Sequence, residues 1–80
     1  MKAMILVKLK EEVLDCQGRS VCMALSKLGF DGIKNVRIGK IIEIDIDDDY
    51  VSDDLKARLE RMGAEFLANE VMEDCEVKFL

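Results

Sequence analysis

From Lys34 to Asp47 the chain alternates with a period of two. Val36, Ile38, Lys40, Ile42, Ile44 and Ile46 share one parity, and Asn35, Arg37, Glu43, Asp45 and Asp47 the other. A straight strand of that span would reach roughly 46 Å at about 3.3 Å per residue. The chain has 80 residues, and a compact globule of that size is only about 30 Å across, from its expected radius of gyration. The segment must therefore turn back, bend, or leave the monomer. A two-residue hairpin loop at Gly39-Lys40 would put Val36 and Ile38 on one face with Glu43 and Asp45 and waste the pattern. A three-residue loop restores parity but wants its glycine last, whereas Gly39 comes first. The pattern favours one long strand, bent or bulged at Gly39, whose far half pairs with a second subunit, with a hairpin as the alternative.

The flanking segments fall into place around it. Ala3 to Lys10 reads as a strand, with Ala3, Ile5, Val7 and Leu9 on one face. A helix follows, N-capped by Asp15 and closed by Gly29, with Phe30 as the apolar residue beyond. Gly18, Val21, Cys22, Leu25 and Leu28 form its stripe, and Gly18 suits a close approach of helix to sheet. After Asp47-Asp48-Asp49, Ser52 is placed to cap a second helix, with Asp53 and Asp54 complementing its dipole. Leu55, Leu59, Met62, Phe66 and Leu67 mark its buried stripe, and Ala68-Asn69 ends it. Cys75 to Leu80 is the last strand. The order βαβαβ predicts one small α+β domain over residues 1–80, a ferredoxin-like sheet completed by dimerisation.

Charge and composition restrict function before any motif does. Twelve basic and seventeen acidic residues leave a net charge of −5, with no His or Trp and only 5% aromatic residues. Such a chain lacks the cationic field and stacking surfaces of a nucleic-acid binder, so nucleic acid is excluded as a partner. Without His it also lacks the commonest general base and transition-metal ligand. Cys16, Cys22 and Cys75 contain no C-x-x-C pair and read as small hydrophobes rather than zinc ligands. No segment has signal-peptide or membrane-spanning character, so the expectation is a cytoplasmic chain with reduced thiols and no membrane partner.

Three candidate chemistries fail on inspection. Asp45, Asp47 and Asp49 match the first ligands of a calcium loop, but Tyr50 stands where Gly is needed and Lys56 where the bidentate Glu belongs. Arg37-Ile38-Gly39-Lys40 lacks the glycine cradle of a phosphate site, and its charges read as edge-strand or partner contacts. No serine or cysteine has a His base, and nothing singles out Glu65 or Glu73. The expectation is a chain with no catalytic, cofactor-binding or metal-binding residue of its own.

Three blocks make the chain specific: Val13-Leu14-Asp15-Cys16-Gln17-Gly18, Val36-Arg37-Ile38-Gly39-Lys40, and Leu67-Ala68-Asn69-Glu70-Val71 with Met72-Glu73-Asp74. In order and spacing, over nearly the whole chain, they resemble the PurS family, the small subunit of phosphoribosylformylglycinamidine (FGAM) synthase. The family usually has Pro where Cys16 and Glu70 stand and Tyr where Cys75 stands. The resemblance implies a non-catalytic subunit that forms dimers or tetramers. It would join the large ATP-using synthetase subunit, PurL, to the glutaminase subunit, PurQ, with ATP and Mg bound by the partner. It carries over Asp15, Gln17, Gly18, Gly39, Ala68 and Asn69 as structural positions, and Arg37 and Lys40 as partner or intersubunit contacts. The alternative is a homodimeric ferredoxin-like module that binds a small metabolite between subunits.

Overall fold

A computed structural model describes residues 1–80. The elements are β1 (Lys2–Leu9), α1 (Cys16–Lys27), β2 (Gly39–Asp45), a 3₁₀ turn (Asp48–Tyr50), α2 (Leu55–Met62), a π-helical turn (Gly63–Leu67) and β3 (Glu73–Phe79). They give the expected α+β order, with a three-stranded antiparallel sheet in the order β2-β1-β3.

Register decides which residues meet. Ile5 lies opposite Ile42 on one side and Val77 on the other, and Ala3 opposite Ile44 and Phe79. Because side chains alternate along a strand, these share one face. α2 lies across that face, and its Leu55 and Leu59 join Ala3, Ile5 and Val7 as the fully buried apolar residues. Burying one Val, Ile or Leu side chain completely contributes about 1.5–3 kcal/mol. The opposite face carries Met4 and Leu6 between charged rows, where Lys2 reaches Glu43 at 3.8 Å and Asp45 at 4.0 Å.

Both ends of α1 form as its sequence requires. The Asp15 carboxylate accepts from the Gly18 N–H at 2.7 Å. At the other end Gly29 adopts φ +93°, its N–H donating to the Ser26 carbonyl and the Phe30 N–H to the Leu25 carbonyl, both at 3.1 Å. This paired arrangement closes a helix on a left-handed glycine. The helix nevertheless does not pack on the sheet. Leu28 is 74% exposed and Phe30 58%, with Val21 and Met23 also open and only Cys22 and Leu25 half-buried. The molecule is accordingly elongated, 50 × 26 × 14 Å, with a radius of gyration of 16.0 Å. A compact chain of this length would have about 12 Å.

Four expectations need correction. β2 begins at Gly39 rather than Lys34, and pairs with β1 without a bulge from Gly39 opposite Lys8 to Asp45 opposite Lys2. Lys34 to Ile38 alternates as a strand does but forms no ladder within the chain, because β1 gives way to a turn beyond Leu9. The close approach at Gly18 is not to the sheet: a Cβ there would lie 2.1 Å from the Val36 carbonyl oxygen, in the segment leading into β2. The second helix is capped at Asp54, not Ser52; the Ser52 hydroxyl donates to the Asp54 carboxylate, and its carbonyl accepts from the Leu55 N–H. Finally, the π turn breaks the stripe of that helix. Gly63 follows Leu55 and Leu59 onto the sheet, where a Cβ would meet the Cys75 sulfur at 2.6 Å. The wider turn then carries Phe66 off the buried face to 87% exposure.

Candidate functional site

The motif blocks converge where β1 ends. Asp15 holds two segments with one side chain: Oδ1 accepts from Gly18 and Oδ2 from the Ile38 N–H at 2.6 Å. The carboxylate that starts α1 therefore also pins the approach to β2. Its pKa is held below the ordinary carboxylate value, first by the Ile38 N–H, then by the Gly18 N–H, with the nearby Arg37 charge and the Gln17 N–H adding; burial opposes them in part.

Arg37 completes the clamp from the other side. Its Nη2 donates to the carbonyls of Leu9 (3.3 Å), Lys10 (2.8 Å) and Val13 (3.1 Å), gathering the β1–α1 connection round one guanidinium. Arg37 is half-buried and thus has a task within its own chain. Gly39 allows β2 to start against β1, since a Cβ there would lie 2.5 Å from the Val7 carbonyl oxygen.

The third block joins the same junction. Asn69 Oδ1 accepts from the Val71 N–H at 3.0 Å, the Asn69 N–H donates to the Glu73 carboxylate at 2.8 Å, and the Asn69 carbonyl accepts from Met72 and Glu73. That turn places the Met72 carbonyl to accept from the Lys10 N–H at 2.9 Å. Lys10 is thus held by Arg37 through its carbonyl and by the Asn69 turn through its N–H. Ala68 lies beside this turn, its N–H closing the π turn onto the Gly63 carbonyl at 2.8 Å.

Gln17 and Lys40 remain outward. They line a shallow cavity of about 260 Å³ with Asp15, Ile38, Gly39 and Glu73. Lys40 also borders a second groove of about 420 Å³ with Lys8, Asp74 and Glu76. Lys40 is exposed and forms no ion pair. No three His, Cys, Asp or Glu side chains cluster as metal ligands would, and no helix is long and apolar enough to cross a membrane. What the junction does is fix shape: three sequence-distant blocks are locked to one another, and Lys40 is displayed beside them.

Glu73, Gly63 and the Lys10 and Val13 carbonyls belong to this framework and were not singled out by sequence. Backbone carbonyls leave no residue signal, and Glu73 has no recognised spacing to Asn69.

The chain is a small α+β protein with a three-stranded antiparallel sheet, and its motif residues Asp15, Arg37 and Asn69 are hydrogen-bonded to backbone groups at one junction. The model of the PurS family, phosphoribosylformylglycinamidine (FGAM) synthase, matches residues 2–80, and the chain belongs to that family. It is 38% identical to the PurS subunit of FGAM synthase from Methanocaldococcus jannaschii over 77 residues, covering 96% of this chain and 92% of the relative. With the Bacillus subtilis PurS subunit it shares 42% identity over 74 residues, 91% and 84% of the two chains. The crystal structure of the M. jannaschii protein, described as one subunit of formylglycinamide ribonucleotide amidotransferase in the purine biosynthetic pathway, superposes with a TM-score of 0.81 over 96% of this chain and 92% of that one. Thermus thermophilus PurS, 35% identical, gives 0.79 over 99% and 95%.

Proposed function

We propose that this chain is the non-catalytic subunit of FGAM synthase in purine biosynthesis. It associates with itself, as a dimer or tetramer, and bridges the ATP-dependent synthetase subunit, PurL, and the glutaminase subunit, PurQ. The assembled enzyme converts formylglycinamide ribonucleotide, ATP, glutamine and water to formylglycinamidine ribonucleotide, ADP, phosphate and glutamate. Glutamine hydrolysis on one partner releases ammonia that the other consumes, and a bridging subunit keeps the two sites aligned while ammonia passes. ATP and its magnesium belong to the synthetase partner.

One observation carries this reading. Two family-motif side chains are used on backbone geometry at the end of β1, Arg37 on three carbonyls and Asp15 on two N–H groups, while much of the apolar surface stays uncovered. A chain organised that way presents surfaces to other chains. Lys40 is then a direct intersubunit or partner contact, and Arg37 contributes by fixing the loop beside it. The test is FGAM formation by the large and glutaminase subunits with and without this protein, driven by glutamine or by ammonia. Restoration of the glutamine-driven rate alone, and its loss in Lys40→Glu with the fold intact, is the expected result. Indifference of both rates to the protein, with no complex formed, overturns it.

A further inference from the structure

Resting on the bridging role just proposed, we infer that one of the two enzyme subunits grips this chain at two adjoining turns beyond the end of β1, residues 11–14 and 69–72. The partner surface that fits them is an apolar pocket ringed by Lys or Arg. No residue of either turn lines the groove over Ile42 and Ile44, and the second turn leads into β3, the edge strand opposite β2.

The turns lie side by side because the Lys10 N–H donates to the Met72 carbonyl at 2.9 Å. Each is fixed by its own chain. Arg37 holds the Lys10 and Val13 carbonyls, and the Val13 N–H returns to the Lys10 carbonyl at 2.9 Å. Asn69 Oδ1 and the Glu73 carboxylate close the second turn. Loop tips are ordinarily where a chain is least ordered. Here the backbone is already bonded in place, so a partner has little ordering left to impose. Yet these fixed turns carry apolar side chains that the fold does not use: Leu14 is 65% exposed, Val71 80% and Met72 44%. None of the three packs on the buried core. Polar residues would serve a solvated turn equally well. Apolar side chains on rigid backbone are what a partner's pocket can take as anchors.

Charge defines the rim of that pocket. Glu11, Glu12 and Glu70 are exposed and form no ion pair, and no basic residue occurs from Glu11 to Asp15 or from Asn69 to Asp74. An acidic rim repels nucleic acid and anionic membrane alike. A two-fold contact of the turns with those of a second copy would set like charges on one another. The complement is a protein surface with an apolar centre and a cationic border, which matches the core and rim of a specific interface.

The test titrates the full chain against the synthetase and glutaminase subunits, separately and mixed, with ATP, magnesium and glutamine present, at low and at high salt. Leu14→Ser combined with Val71→Ser should weaken binding to one subunit by about tenfold or more. Glu11→Lys combined with Glu12→Lys should slow association and remove much of its salt dependence. Both variants should keep the wild-type urea midpoint and oligomer size, because the replaced side chains are exposed. Wild-type binding that both variants match overturns the site and leaves the bridging role standing. Wild-type binding to neither subunit, with no effect on glutamine-driven FGAM formation, overturns both. A fall in affinity matched by a change of oligomer size would trace to self-association and overturn the site as well.

Discussion

The sheet with α2 and the arm made of α1 and the segment to Ile38 are stabilised in opposite ways. α2 has no side-chain cap at Asp54, yet Leu55 and Leu59 are buried against Ala3 and the strands beside it. α1 is capped at one end and closed by a left-handed glycine at the other, yet most of its apolar stripe faces outward. Good helix ends therefore do not report whether a helix has found its neighbour. One region is held by packing; the other is held by polar bonds to backbone at the end of β1.

The largest effect should come from breaking the packed half. Leu59→Ala removes a fully buried side chain and is expected to cost about 2–5 kcal/mol. A core of this size supplies roughly 3–5 kcal/mol in all, so this variant should be largely unfolded as a dilute single chain. Leu25→Ala in the arm should cost well under half as much there. Urea unfolding at several protein concentrations measures both, and equal losses at the lowest concentration would erase the distinction between the regions.

Gly18→Ala attacks the polar half at its tightest point. The new methyl would meet the Val36 carbonyl, which is backbone and cannot rotate away, so α1 or the approach to β2 must shift. Overpacking of this kind costs about 1–3 kcal/mol. Amide exchange should show the loss concentrated in residues 16–38, with β1 and β3 protected as before. Uniform loss of protection would mean that the arm and the sheet unfold as one unit.

Acid should loosen the arm before the sheet. The folded-state pKa of Asp15 lies below its unfolded value of about 3.9. A carboxylate with a depressed pKa contributes stability that is full above the unfolded pKa and is lost as pH falls through the folded one. Between pH 7 and 5 nothing should change at this site; below about pH 4 the Ile38 and Gly18 bonds weaken together. Asp15→Asn should weaken the arm at neutral pH and flatten that acid dependence. An unchanged acid transition in the variant would assign it to other carboxylates.

Sequence made the locally determined parts legible. β1 and β3 follow from parity, and the ends of α1 from Asp15 and Gly29, because each depends on near neighbours. The start of β2 was not legible, since Val36 and Ile38 continue the alternation whether or not a strand lies beside them. Nor was the junction: the motif residues could be named, but their meeting at Leu9 and Lys10 depends on Arg37 spanning 24 to 28 residues of sequence to its three carbonyls. The stripe of the second helix failed at two places: Met62 is 39% exposed at its edge, and Phe66 is lost for a related reason. A single wider turn after Met62 rotates all that follows, and periodicity carries no mark of it.

Phe66 isolates that last point with the smallest expected effect. Counted on an unbroken helical stripe it is a core residue, and its truncation would cost about 3–5 kcal/mol. Placed by the π turn it is 87% exposed, and Phe66→Ser should change the unfolding free energy of the dilute chain by no more than about 0.5 kcal/mol. The same variant removes an apolar wall of the groove over Ile42 and Ile44. Its effect should therefore rise with protein concentration, as loss of association does, whereas that of Leu59→Ala is already full in the single chain. A large loss independent of concentration would return Phe66 to the core and the π turn to a regular helix.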